Sequence, residues 1–150
     1  MVTSGHPARG DVGRSVTPAV GRIHHVGLTV SDVVVSEAWY CRVLGLERLG
    51  VEHHNMGTGH TVLLHRPGGD LHIGLDHHPT HGGERFAEHR TGLDHVSLHV
   101  EERADLDLWA IHLDELNAER GEITEVTDPL PFATLVFRDP DNIQLELIWV

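Results

Sequence analysis

Cysteine is almost missing from this chain. Cys41 is the only one, so no disulfide can close within the sequence and stability must come from packing. It falls in a segment with helical character and reads as a small core or boundary residue rather than a reactive thiol. Aromatic residues make up only 5% of the chain, too few for a groove walled by stacking rings. Positive charge is short as well. Eleven basic residues stand against 23 acidic ones, for a formal charge of −12. A nucleic-acid partner, which needs a basic face, is thereby excluded. No apolar run is long enough to span a bilayer, so no membrane partner is expected. The opening MVTSGHPARGDVGRSVTPAVGR carries arginines but no apolar stretch, and does not resemble a secretory signal. Its Gly, Ser, Thr and Pro suggest a loose tail over residues 1–22, with ordered structure from about Ile23. Cytoplasmic residence is the expectation.

What the chain does have is histidine, 15 in 150 residues. Such abundance weakens any argument from a single imidazole, so position must carry the argument. In DHVSLHV, residues 94 to 100, His95, Ser97 and His99 alternate with Val96, Leu98 and Val100. Alternation of this kind is a β-strand with one oily and one polar face. Nearly the same phrase occurs earlier as HHVGLTV, residues 24 to 30. His25 precedes His95 by 70 residues, and Trp39 precedes Trp109 by the same interval.

The chain is therefore one unit written twice. Residues 23–80 form the first copy, residues 92–150 the second, and residues 81–91 the connector. That connector lies inside the Pro- and Gly-containing stretch from His78 to Gly92. In the first copy Ser31 or Asp32 caps a helix through AWYCRVL that Gly45 closes. In the second, Leu106, Trp109, Ala110, Leu113 and Leu116 follow helical spacing and Gly121 ends the run. Three strands follow each helix, near 47–54, 59–66 and 71–77, then near 122–126, 132–138 and 143–149. The final hairpins align as TVLLHRPGGDLHIGL and TLVFRDPDNIQLEL. His72 then matches Gln144, and Gly74 matches Glu146. The fold class is α+β, with the order βαβββ twice.

The oily faces of the strands should pack on the helices, which leaves the polar faces to line a shared cavity. His25, His95 and Glu146 all fall on that side. A carboxylate among Leu145, Leu147, Ile148 and Trp149 is costly without a cation nearby. Two imidazoles and one carboxylate with open positions form the facial triad of non-haem Fe(II) sites, and Mn, Zn, Ni or Co use the same donors. His24 is out of phase and is expected outside. His99 and His72 share the cavity face as candidate proton carriers. Thr29, Ser97, Gln144 and Val136 are candidate substrate contacts, and Asp76, in phase with Gly74, is another or an extra ligand. His77, His78, His81 and His89 are expected to be solvated. Trp39 and Trp109 read as core, and Trp149 as closing the cavity or an interface.

IHHVGLTVSDVVVSEAWYCRVLGL and FRDPDNIQLELI resemble the two signatures of the vicinal oxygen chelate superfamily. It includes glyoxalase I, extradiol ring-cleaving dioxygenases, fosfomycin-resistance enzymes, methylmalonyl-CoA epimerase and bleomycin-binding proteins. The resemblance covers about residues 22 to 150. It implies paired βαβββ modules forming a cupped, mixed-sheet half-barrel around a divalent metal. It places the family's ligands on His25, His95 and Glu146. The fourth ligand of glyoxalase-like members would fall on Gly74, which has no side chain to offer. That departure leaves the three-ligand pattern, which resembles the dioxygenases and fosfomycin enzymes. The tyrosine those groups carry ten residues before the glutamate is replaced by Val136. Asn142 stands where the family prefers glycine, a position asparagine tolerates.

Three functions follow as expectations. The first is a metal-dependent, dioxygenase-like oxidoreductase, with Fe(II) favoured, acting on a small molecule with adjacent oxygens. The second keeps the metal and drops O2, as an isomerase, lyase or transferase. The third is a metal-free drug-binding resistance protein. Both halves of a site are present in the chain, so a homodimer with sites within or across chains is compatible with each reading.

Overall fold

The computed structural model describes residues 18–150. Most of the expected N-terminal tail, residues 1–17, lies outside them. From the first described strand the order is β1 (Val26–Thr29), α1 (Val33–Leu44), β2 (Glu47–His53), β3 (His60–His65) and β4 (His72–His77). It continues with β5 (Val96–His99), α2 (Arg103–Glu115), β6 (Thr124–Val126), β7 (Phe132–Arg138) and β8 (Gln144–Trp149). A single 3-10 turn, Asn55–Gly57, joins β2 to β3. The strands form two four-stranded sheets, β1-β4-β3-β2 and β5-β8-β7-β6. In each, the first strand of the module runs parallel to the last, and the remaining pairs are antiparallel. The duplicated βαβββ order is thus present as expected, in two sheets that do not close into a barrel.

Helix boundaries follow local chemistry. Asp32 caps α1 by accepting the backbone N–H groups of Val34 and Val35, and Gly45 ends it at φ 63°. α2 opens with a reciprocal cap between Glu102 and Asp105. Its end differs from the sequence expectation. The helix stops at Glu115, and Asn117, not Gly121, takes the left-handed conformation at φ 52°. A short polar side chain makes that conformation accessible to Asn. Gly121 instead donates its N–H to Val136 O.

Strand alternation sorts the two faces. Leu28, Val62, Leu64, Ile73 and Leu75 from one sheet, and Leu135, Phe137, Leu145 and Leu147 from the other, are buried. Tyr40, Val43 and Leu44 from α1 and Leu106 and Leu113 from α2 complete the same apolar cluster. Each such aliphatic side chain contributes about 1.5–3 kcal/mol by leaving water. Trp39 and Trp109 pack on this core only half-buried. Trp149 does not take the expected place closing the cavity. It is in phase with Leu145 and Leu147 and packs against the core, while Ile148 takes the opposite face.

A polar seam joins the modules. The Tyr40 hydroxyl on α1 donates to Asp139 Oδ2 at 3.0 Å in the turn between β7 and β8. Asp139 Oδ1 accepts the backbone N–H groups of Asp141 and Ile143. Asp141 Oδ2 accepts the N–H of Ser31 from the first module, at 3.0 Å. His112 on α2 bonds the Val43 carbonyl near the end of α1 at 3.0 Å. Burial pushes the Tyr40 phenol well above its ordinary range, with the Asp139 carboxylate adding to the effect. Burial likewise raises Asp139 to about 6, against the hydrogen bonds that favour its charged form.

The sign of that shift sets a pH dependence. The folded state binds a proton on Asp139 more tightly than the unfolded chain does. Its favourable contribution is complete below the ordinary carboxyl range and is lost as pH rises through about 6. Asp139→Asn should therefore gain on the wild type by about 2–3 kcal/mol between pH 4 and pH 7. Urea unfolding of both proteins across that range checks it, and parallel pH profiles would contradict the account. Tyr40→Phe removes the donor and leaves Asp139 one partner short, so it should cost about 1–3 kcal/mol at pH 7 by the same measurement.

Candidate functional site

The polar faces of the two sheets are the half-exposed surfaces the sequence pattern anticipates. On the second, Ser97 lies opposite Glu146, and Glu146 lies opposite Val136. Ser97 Oγ donates to Glu146 Oε1 at 2.7 Å. His95 sits one residue before β5, with Nε2 3.9 Å from the same Glu146 oxygen. Its Nδ1 is 2.6 Å from Asp94 Oδ1. A carboxylate at Nδ1 selects the tautomer protonated there and leaves the Nε2 lone pair facing Glu146. Two lone-pair donors across this gap call for a positive charge between them. An imidazole and a carboxylate so arranged suit a borderline divalent ion.

Val136, directly opposite Glu146, presents no proton to this site. Farther along, Ile148 faces His99 and Thr134. Leu130, Pro131, Phe132, Ile148 and Val150 surround an apolar hollow of about 420 Å³. The face thus grades from charged at Glu146 to oily at its far end. His99 is half-exposed, with Nδ1 4.0 Å from Glu101 and no closer role at Glu146. Gln144 is engaged. Its Oε1 accepts Arg138 Nη2 at 2.6 Å, and Arg138 also reaches Glu88.

On the first module, His25 also sits one residue before its strand. Its Nδ1 is 2.9 Å from Nδ1 of His24. His24 is not turned away from the cavity as its phase suggested. It precedes the strand, where alternation does not yet apply, and stacks on His72 with ring centroids 5.6 Å apart. His72 continues the stack toward His65 and its Nδ1 is 3.1 Å from Asp70 O. Asp76 is not a free ligand. Oδ1 accepts the Thr61 hydroxyl and lies 3.2 Å from His54 Nε2. No periodic signal pointed to His54, which enters from the turn after β2. Thr61 was missed as well, and its place opposite Asp76 in the β3–β4 hairpin is the signal that could have found it. Thr29 opens on a separate cavity of about 270 Å³ beneath the connector, beside Phe86 and Asp141.

The structure therefore brings His95, Ser97, Glu146 and Val136 together, and groups His25, His72 and Asp76 on the other module. His25 and His95 line one cavity of about 410 Å³, along with Val26, Leu71 and Leu98. Within a single chain, however, the triad does not assemble. Among the described residues no group of three or more His, Cys, Asp or Glu is placed to hold a metal ion. Two of the three expected donors fit such an ion, and the third faces His24.

Comparison with known proteins agrees with this architecture. A family model described as the Glyoxalase/Bleomycin resistance protein/Dioxygenase superfamily matches residues 22–147. A glyoxylase/bleomycin resistance protein/dioxygenase domain from Frankia sp. EAN1pec is 35% identical, with a TM-score of 0.75, covering 87% of this chain and 98% of its own. A glyoxalase family protein from Enterococcus faecalis, 24% identical, has a TM-score of 0.71 over 85% of this chain and 97% of its own. The fosfomycin resistance protein FosX from Listeria monocytogenes, 16% identical, shares the fold with a TM-score of 0.64, over 87% and 93% of the two chains. No curated protein matches. No described helix is long and apolar enough to cross a membrane. With the duplicated module, the two sheets and the matched length, the chain belongs to the Glyoxalase/Bleomycin resistance protein/Dioxygenase superfamily.

Proposed function

We propose that the protein is a divalent-metal-dependent enzyme acting on a small oxygenated molecule, with the metal held by His95 and Glu146 of one chain and His25 of a second copy. The observation that carries this reading is the convergence of His95 Nε2 and Glu146 Oε1 at 3.9 Å, with Asp94 and Ser97 orienting each. The open sheets, and His25 meeting His24 rather than the His95–Glu146 pair, support the second copy as the source of the third donor. Such a metal, when bound, supplies Lewis acidity toward a substrate with adjacent oxygens.

The chain's own residues do the rest. Ser97 holds Glu146 Oε1 in place, and Asp94 fixes the His95 ring and its tautomer. Val136 keeps one wall of the site free of exchangeable protons. The hollow around Phe132 and Ile148 takes the apolar part of the substrate and excludes water from it. His99 and His72, on the polar faces of the two modules, are the groups available to carry protons to and from solvent.

Val136 in place of tyrosine opposite Glu146 weighs against ordinary catechol cleavage, which leaves non-oxidative chemistry of the isomerase, lyase or transferase kind as one reading. The absence of a side chain at Gly74 favours the three-donor, dioxygenase-like pattern with Fe(II). Turnover under strictly anaerobic conditions separates these two readings.

Metal content of untagged protein, purified without oxygen, tests the proposal itself. About one equivalent of Fe, Mn, Zn, Ni or Co per chain is expected. Glu146→Gln should lower metal affinity by more than 100-fold, and Ser97→Ala by about 10–100-fold, as loss of an orienting hydrogen bond does. Full metal content in Glu146→Gln would overturn the assignment.

A further inference from the structure

The first module's polar face holds a carboxylate that the metal reading leaves unused. Both groups that reach Asp76 converge on one oxygen. Thr61 donates its hydroxyl hydrogen to Oδ1, and His54 Nε2 lies 3.2 Å from Oδ1 and 2.9 Å from Thr61 Oγ1. Since the threonine hydrogen is spent on Asp76, the His54 proton sits on Nε2 and is shared between them. The second oxygen is turned away from this pair. Oδ2 lies 3.0 Å from the point a Cβ on Gly27 would occupy and 3.8 Å from that on Gly74. These glycines are direct partners across β1 and β4. The carboxylate oxygen therefore sits over Gly27, and the Thr61 methyl group, 3.0 Å from the corresponding point on Gly74, covers the second glycine.

The neighbouring cavity, about 330 Å³, has a consistent character. Leu49, Val51 and Leu63 form apolar walls, Glu52 adds a second carboxylate, and His24 and His25 border the cavity as well. Among the described residues no arginine lines it, and the chain contains no lysine. A negative oxygen, held rigid from one side and open on the other, favours a compact cationic donor. Oδ2 and the Thr61 methyl group take up the space over the two glycines, so a ligand reaches Oδ2 from the cavity, where Leu49 and Leu63 suit an aliphatic body.

We infer that Asp76 Oδ2 anchors a subsite for a ligand carrying a protonated primary amine on an apolar chain. His54 and Thr61 are positioning residues that hold the carboxylate over Gly27. The inference rests on the reading of the polar faces as a small-molecule site, but not on a bound metal.

Butylammonium, butanol and butyrate are the probes, titrated into 15N-labelled full-length protein and followed by amide shifts. Butylammonium should move the resonances of Gly27, Gly74 and Asp76. It should bind about tenfold more tightly than butyrate, the worth of one charge-assisted hydrogen bond. Asp76→Asn should erase that preference. Gly27→Ala, which keeps the carboxylate but sets a methyl group against Oδ2, should also weaken butylammonium and leave butanol little changed. It carries the test should Asp76→Asn fail to fold. Glu146→Gln should retain butylammonium binding, so loss of the metal reading and loss of this subsite give different patterns. Equal binding of butylammonium and butyrate, or undiminished butylammonium binding in Asp76→Asn or Gly27→Ala, would overturn the inference.

Discussion

The hydrogen bond from Tyr40 to Asp139 fixes how the two modules meet. It lies inside a continuous apolar core, where an unmade partner is costly, so helix α1 and the β7–β8 turn have one satisfactory arrangement. Asp139 also holds two backbone N–H groups of its own turn, and Asp141 reaches the first module through Ser31. Once this seam is set, each sheet has its oily face toward the shared core and its polar face outward. The position of every candidate donor follows from that choice.

The repeat was the most legible part of the sequence because it is carried by many residues at once. Alternation set the strand faces, Asp32 and Gly45 bounded the first helix, and the matched hairpins put Glu146 at the place Gly74 holds in the first module. Legibility failed where a single residue escapes periodic logic. Asn117 ends α2 because its side chain tolerates a left-handed backbone, a local property that Gly121 masked in the sequence. His24 lies ahead of its strand, so phase could not place it. His54 reaches Asp76 from a turn, a contact no spacing rule predicts. The seam was likewise invisible, since Tyr40 and Asp139 stand 99 residues apart.

The candidate site divides along the same line. Glu146 and His95 come together because parallel pairing of β5 with β8 sets Ser97 beside Glu146, and Asp94 then turns the imidazole. His25 is the equivalent residue of the first module, yet that module has glycine where the second has glutamate. The two halves of the duplication thus differ in the polar side chains they carry. One keeps an imidazole–carboxylate pair. The other keeps a lone imidazole and a carboxylate displaced by two residues to Asp76, braced by Thr61 and His54.

The central claim is that a second copy supplies His25 to the His95–Glu146 pair. Mixing His25→Ala with Glu146→Gln, allowing subunits to exchange, and measuring bound metal tests it most directly. Each variant alone lacks part of every site. In a two-fold dimer with sites across the interface, mixed pairs regain one complete site, so roughly a quarter of all sites should recover metal. Recovery at that level is the result this account predicts. No recovery after demonstrated subunit exchange would contradict it, and would place all three donors within one chain or none of them on a metal.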